Sequence, residues 1–173
     1  MRWFKPGSQE TVRRGLVDLY PRLNRYCLAV TADTHAAEDL AHAVCIRALE
    51  RAHQFKPDTR LDSWIFTIAQ RLWIDELRKR AVRNTGHMAN VDDIELQDHA
   101  PDPETNAINA DMMRAMMTLP EAQRVATLLV YGEGYSYKDA ADILDIPIGT
   151  VMSRLAAART KMVDMFQTHA KAG

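Results

Sequence analysis

Between residues 84 and 111 the chain has no lysine or arginine but seven aspartates and glutamates. Like charges without partners repel, and the few apolar residues there bury too little to offset the entropy of ordering the backbone. That stretch cannot join a core on its own, so the 173 residues must fold as whatever lies on either side of it. The formal net charge of -1 hides the segregation: residues 1–83 carry 15 Lys or Arg against 10 Asp or Glu, and residues 112–173 carry seven against six.

Both flanks show helical spacing. Leu16, Leu19, Leu23, Tyr26, Cys27 and Val30 recur at steps of three and four, the period of a buried helical face. Pro21 is expected to bend or restart that helix. Asp33 and Thr34 offer an N-cap to a second helix with Ala37, Leu40, Ala41, Val44, Ala48, Leu49 and Ala52 inward. After a loop around Pro57, a third helix over residues 61–83 should turn Trp64, Ile65, Ile68, Leu72 and Leu77 inward. Helical pattern returns at residues 104–119, 121–131, 136–144 and 148–165, and no segment alternates with period two. The expected fold is all-α: two small helical domains, 1–83 and 109–173, joined by a flexible acidic linker, 84–108. Met112, Met113, Met116 and Met117 fit core filler or an adaptable docking face.

Several functions are disfavoured. The two cysteines, Cys27 and Cys45, are too few for a disulfide framework and lack CxxC spacing. His35, His42 and Cys45 could be imagined around a metal, but thiols and surface histidines are common without one, and neither metal nor cofactor is expected. No GxSxG, HExxH, P-loop or GxGxxG pattern occurs, so no catalysis is expected. No apolar run approaches the roughly 18 residues that span a bilayer, and MRWFKPGSQE lacks an apolar signal segment. A cytoplasmic protein without membrane insertion is the expectation.

The most specific local signal is GYSYKDAADILDIPIGTVMSRLAAAR, residues 134–159. Ser136 caps a helix whose inner Ala140, Ala141 and Leu144 permit a close crossing, and Asp145 to Pro147 force a turn. A second helix follows with Val151 and Leu155 inward and Ser153, Arg154 and Arg159 outward. This is helix-turn-helix logic, in which the second helix meets base edges and phosphates in the major groove.

The stretch from Leu119 to Arg159, LPEAQRVATLLVYGE followed by the segment above, resembles region 4 of the extracytoplasmic-function (ECF) sigma factors, RNA polymerase specificity subunits of the sigma-70 family. LYPRLNRYCLAVTADTHAAEDLAHAVCIRALERAHQF with LDSWIFTIAQRLWIDELRKR, residues 19–80, resembles their region 2. The resemblance implies promoter-specific initiation, with core RNA polymerase (β′ clamp and β flap), promoter DNA and an anti-sigma factor as partners. A sigma-like module that titrates an anti-sigma factor without initiating transcription is the alternative.

It also implies sites. Polymerase docking would fall on Asp39, Leu40, His42, Ala43, Ile46 and Glu50 of the second helix, with His42, Ala43 and Cys45 standing where the family usually has Gln, an acid and an aromatic. The minus 10 element would be opened and read by the loop Lys56 to Ser63, including Thr59 and Arg60, and by Thr67, Gln70 and Arg71 on the next helix, through extruded bases. Arg71 stands where polar amides are frequent. Arg78, Lys79, Arg80 and Arg83 would hold phosphates. The minus 35 element would be read by Thr150, Ser153, Arg154 and Arg159, with Met152 and Ala157 where basic residues are frequent.

Overall fold

The computed structural model describes residues 7–83 and 113–171, with side chains in the last helix described to Met165. The linker expected at 84–108, the start of the helix expected at 104, and Met112 lie outside the described residues. Every regular element among the described residues is helical: α1 (Ser8–Thr31), α2 (Thr34–Glu50), a short 3₁₀ turn (Ala52–Gln54), α3 (Leu61–Arg83), α4 (113–117), α5 (Glu121–Thr127), a wider turn (Leu128–Gly132), α6 (Tyr137–Leu144) and α7 (Ile148–Lys171). They form two compact units, residues 7–28 with 35–83, and 29–34 with 113–171. None of the described helices is long and apolar enough to cross a membrane.

In the first unit α1 contributes Val12, Leu16, Leu23, Tyr26 and Cys27 to the core, α2 contributes Ala37, Ala41, Val44 and Ala48, and α3 contributes Ile65, Phe66, Ile68, Ala69 and Trp73. The Tyr26 and Phe66 rings meet at 5.0 Å, and Phe55 packs on Trp64 at 5.4 Å. Burial holds the Cys27 thiol protonated, its pKa pushed up to about 12, so it behaves as a small apolar side chain. No group of three His, Cys, Asp or Glu among the described residues could hold a metal ion.

Three expectations are corrected here. The first helix does not restart at Pro21, which lies inside an unbroken α1. Proline deprives the carbonyl four residues back of its partner, and that carbonyl belongs to the strongly exposed Val17, where water can replace the lost bond. Leu49 is not in the inner stripe of α2 but half exposed. In α3 the inner stripe is rotated: Phe66, Ala69 and Trp73 are buried, whereas Trp64, Leu72 and Leu77 are only half-buried. Two adjacent apolar stripes are available on this helix, and the one holding Phe66 meets the buried Tyr26 ring of α1.

Thr31 ends α1 by donating its hydroxyl to the Asp33 carbonyl (3.0 Å) while accepting from the Asp33 N–H (3.3 Å), and Ala32 between them takes a left-handed φ of 55°.

In the second unit Met116, Leu119, Val125, Leu129, Tyr135, Ile143, Leu144, Val151, Leu155 and Ala158 are buried. Met116 is therefore core, with Met113 and Met117 half-buried beside it. Arg124 is buried and donates to the carbonyls of Met117 (3.3 Å) and Leu119 (3.0 Å), satisfying the end of α4. The helix expected over 121–131 leaves α geometry at Leu128: the Glu133 N–H reaches back five residues to the Leu128 carbonyl at 2.8 Å. Gly132 lies against this wide turn, where a Cβ would sit 2.8 Å from Leu128 Cδ1 and the leucine end would have to give way.

Phe66→Ala should destabilise the first unit by roughly 3–5 kcal/mol through lost burial and a residual cavity. Urea unfolding of the full chain, followed by tryptophan fluorescence, measures it, since Trp64 and Trp73 both lie in that unit.

Candidate polymerase and nucleic-acid interfaces

The outer face of α2 follows from its inner one. With Ala37, Ala41, Val44 and Ala48 buried, Asp39, His42, Ala43, Ile46 and Glu50 are exposed, and Leu40 lies half-buried at the edge. Ile46 is 60% exposed and Leu49 48%, so the far end of this face is apolar, bordered by the Arg47–Glu50 ion pair at 3.4 Å. Toward its near end, His42 stacks on Tyr20, with the Tyr20 hydroxyl 3.3 Å from His42 Nε2.

The loop into α3 is built around Asp62. Its carboxylate takes the Ser63 N–H (2.8 Å), Arg60 (3.0 Å) and Arg22 from α1 (3.2 Å). Arg22 in turn lies 5.8 Å above the Phe66 ring, tying the loop to the core. Lys56, Thr59 and Arg60 are exposed, and the Thr59 hydroxyl donates to the Lys56 carbonyl at 2.8 Å. On α3, Ser63 and Thr67 are half-buried, the Thr67 hydroxyl donating to the Ser63 carbonyl at 2.8 Å, and Arg71 is exposed. Gln70 is half-buried, and its Oε1 accepts from the buried Tyr26 hydroxyl at 2.6 Å, which leaves the amide NH₂ as its outward group.

Beyond Gln70 the basic end of α3 is partly neutralised by its own acids. Arg78 pairs with Asp75 (3.3 Å), while Arg80 (2.9 Å) and Arg83 (3.4 Å) both reach Glu76. The Arg80 bond holds the Glu76 carboxyl below its ordinary range. Arg80 also lies 5.4 Å from the Trp73 ring. Arg78, Lys79, Arg80 and Arg83 are all exposed.

In the second unit Ser136 caps α6, its Oγ accepting the Asp139 N–H at 3.1 Å. Asp145 ends α6 in the left-handed conformation, φ 54°, and α7 restarts after Pro147. Val151, Leu155 and Ala158 anchor α7, leaving Met152, Ser153 and Arg159 exposed with Thr150, Arg154 and Ala157 half-buried. Helix, left-handed turn and second helix reproduce the arrangement expected of a helix-turn-helix. Sequence reading missed one cluster here: Tyr131, turned outward by the wide turn, bonds to Tyr137, which pushes its phenol pKa up against the opposing charge of Arg159.

The sigma-70 region 2 sequence pattern matches residues 16–83, and the sigma-70 region 4 pattern matches 110–162. The ECF RNA polymerase sigma factor SigM of Mycobacterium tuberculosis is 30% identical over 82% of this chain and 69% of its own length. That likeness, with both regions in order, decides the matter. The chain belongs to the ECF sigma factors of the sigma-70 family. The ECF RNA polymerase sigma factor EcfG of Rhodopseudomonas palustris is 29% identical over 88% of this chain and 83% of its own. Among solved structures, the sigma factor RpoE of Bartonella quintana, co-crystallised with the anti-sigma factor NepR, superposes with a TM-score of 0.74 at 27% identity, covering 90% of this chain and 96% of that one.

In this sigma factor the Tyr26–Gln70 bond and the Asp62 hub were beyond sequence reading, because each joins residues 40 or more positions apart. Tyr26→Phe should remove the bond at a cost of about 1 kcal/mol and let the Gln70 amide rotate, which nitrogen-15 relaxation of its side-chain NH₂ would register. An unchanged amide signal would mean that packing alone holds Gln70.

Proposed function

We propose that this sigma factor directs promoter-specific initiation by dividing the work between its units, bounded at residues 1–83 and 109–173 with 84–108 as linker. The first docks on core RNA polymerase at the β′ clamp through Asp39, Leu40, His42, Ala43, Ile46 and Glu50, and the second meets the β flap. Lys56, Thr59, Arg60, Ser63, Thr67, Gln70 and Arg71 open and read the minus 10 element, while Arg78, Lys79, Arg80 and Arg83 hold its phosphates. Thr150, Ser153, Arg154 and Arg159 face the minus 35 element. The protein acts in the cytoplasm, catalyses nothing itself, and is silenced by an anti-sigma factor, a class of partner bound by its Bartonella relative.

The observation that carries this reading is the ordered match to regions 2 and 4 on one chain. Support for the docking surface comes from Ile46, a large aliphatic side chain 60% exposed on a helix whose opposite face is fully packed. Transcription with purified core polymerase on a promoter library should yield defined start sites only when the protein is added, and no such transcripts would overturn the reading.

Ile46→Glu should weaken core polymerase binding by tenfold or more, the ~1.4 kcal/mol scale of a contact residue, while leaving helicity unchanged by circular dichroism. Replacing Arg78, Lys79 and Arg80 together by Ala should weaken holoenzyme binding to all promoters and flatten its salt dependence by up to about three in slope. Arg154→Ala should instead act through the minus 35 sequence, by roughly 1–3 kcal/mol. Equal losses on matched and scrambled minus 35 elements would remove Arg154 from base reading.

A further inference from the structure

The leading half of α7 offers little polar chemistry. Ser153 donates its hydroxyl to the Thr150 carbonyl at 3.0 Å, one turn back, which leaves it only lone pairs to present. Arg154 is half-buried, and Arg159 lies further along, within the electrostatic reach of Tyr131. The most exposed large groups of the leading turns are apolar: Met152 at 52% and Ile148 at 48%. They stand four residues apart and so share one face. Gly149 between them is open, with nothing within 4 Å of where its Cβ would be, so backbone could also approach a partner closely.

A helix-turn-helix aims this end of its second helix into the major groove, where thymine alone presents a methyl group. We infer that Met152, flanked by Ile148, is a specificity-determining residue that reads thymine C5-methyl groups in the minus 35 element by apolar contact. The inference rests on the proposed DNA face of α7 and adds to it an apolar contact that Ser153, Arg154 and Arg159 do not supply. An unbranched thioether has the rotamer freedom to follow a methyl from one base step to the next, and its burial against that methyl removes apolar surface from water on both sides. The contact confers preference for thymine over cytosine or uracil at the position it covers, and contributes nothing to counterion release.

The test uses holoenzyme assembled from full-length protein and core polymerase. Duplexes with a randomised minus 35 segment are selected for binding, and the selected duplex is resynthesised with deoxyuridine replacing each thymidine in turn, which deletes only the methyl. The wild type should lose about fourfold in affinity at one or two positions, the equivalent of one methyl at ~0.8 kcal/mol. Met152→Ala should be insensitive to the same replacements, while keeping its helicity and its affinity for core polymerase. If selection enriches a minus 35 sequence but no deoxyuridine duplex binds more weakly, or if Met152→Ala retains the full sensitivity, the inference is overturned and the DNA face stands. A Met152→Ala variant that loses core polymerase affinity with no methyl sensitivity in the wild type would also overturn it, assigning the patch to a protein contact. No enrichment at minus 35 would overturn the DNA reading of α7 itself.

Discussion

Ala37, Ala41 and Ala48, each at most 1% exposed, fix the orientation of α2, and much of the first unit's outer surface depends on it. Having no side chain beyond Cβ, they give α2 a narrow buried stripe, with Val44 supplying the larger group between them. A helix with so narrow a buried stripe turns more than half its circumference outward, which is why Ile46 and Leu49 reach the surface although both are large aliphatics. Replacing one of these alanines with a larger residue would push the helix away from its neighbours rather than leave a gap.

Electrostatics organises α3 differently along its length. At the start, one partly buried carboxylate, Asp62, gathers Arg22, Arg60 and the Ser63 N–H, and Arg22 also lies over Phe66. Charges drawn together against a core hold a loop in one shape, whereas exposed pairs contribute little. At the far end the pairs are exposed and lie within one helix, Arg78 with Asp75 and Arg80 with Glu76. Such pairs exchange readily, so phosphates can take their place at small cost. The same residue types thus build a cross-linked loop at one end and an exposed basic surface at the other.

Legibility in the sequence followed the physics of each feature. The three long helices of the first unit and the helix-turn-helix of the second were readable because periodicity, the Ser136 cap and the Asp145 to Pro147 turn are local. The rotated stripe of α3 was not, since Trp64-Ile65-Phe66 and Leu72-Trp73-Ile74 are apolar runs that support two registers. Only the neighbouring helices choose between them, through the Tyr26 ring that meets Phe66. The outward Tyr131 was hidden for a related reason: α-period counting has no place for an i to i-5 bond such as that from the Glu133 N–H to the Leu128 carbonyl. Of the proposed sites, exposure could be read from the complement of the buried stripe, but hydrogen-bond commitments such as Gln70 to Tyr26 could not.

Those commitments bear on how the proposed functions would be shared. Counterion release favours any accessible cation, whatever base lies beneath it, and among the described residues most of the exposed cations are on the first unit. The leading turns of α7 carry one arginine, and it is half-buried. A chain with net charge -1 and seven acids over residues 84–111 has little overall attraction for DNA. Free in solution it would therefore bind DNA weakly, with Asp75 and Glu76 competing for the same arginines that phosphates would need. Docked on polymerase, the protein would no longer have to supply the encounter with DNA from its own charge, and even modest contacts would then act at high effective concentration. Under that condition thin but discriminating contacts on α7 suffice, and the sequence preference of the second unit can be set by shape and apolar fit rather than by charge.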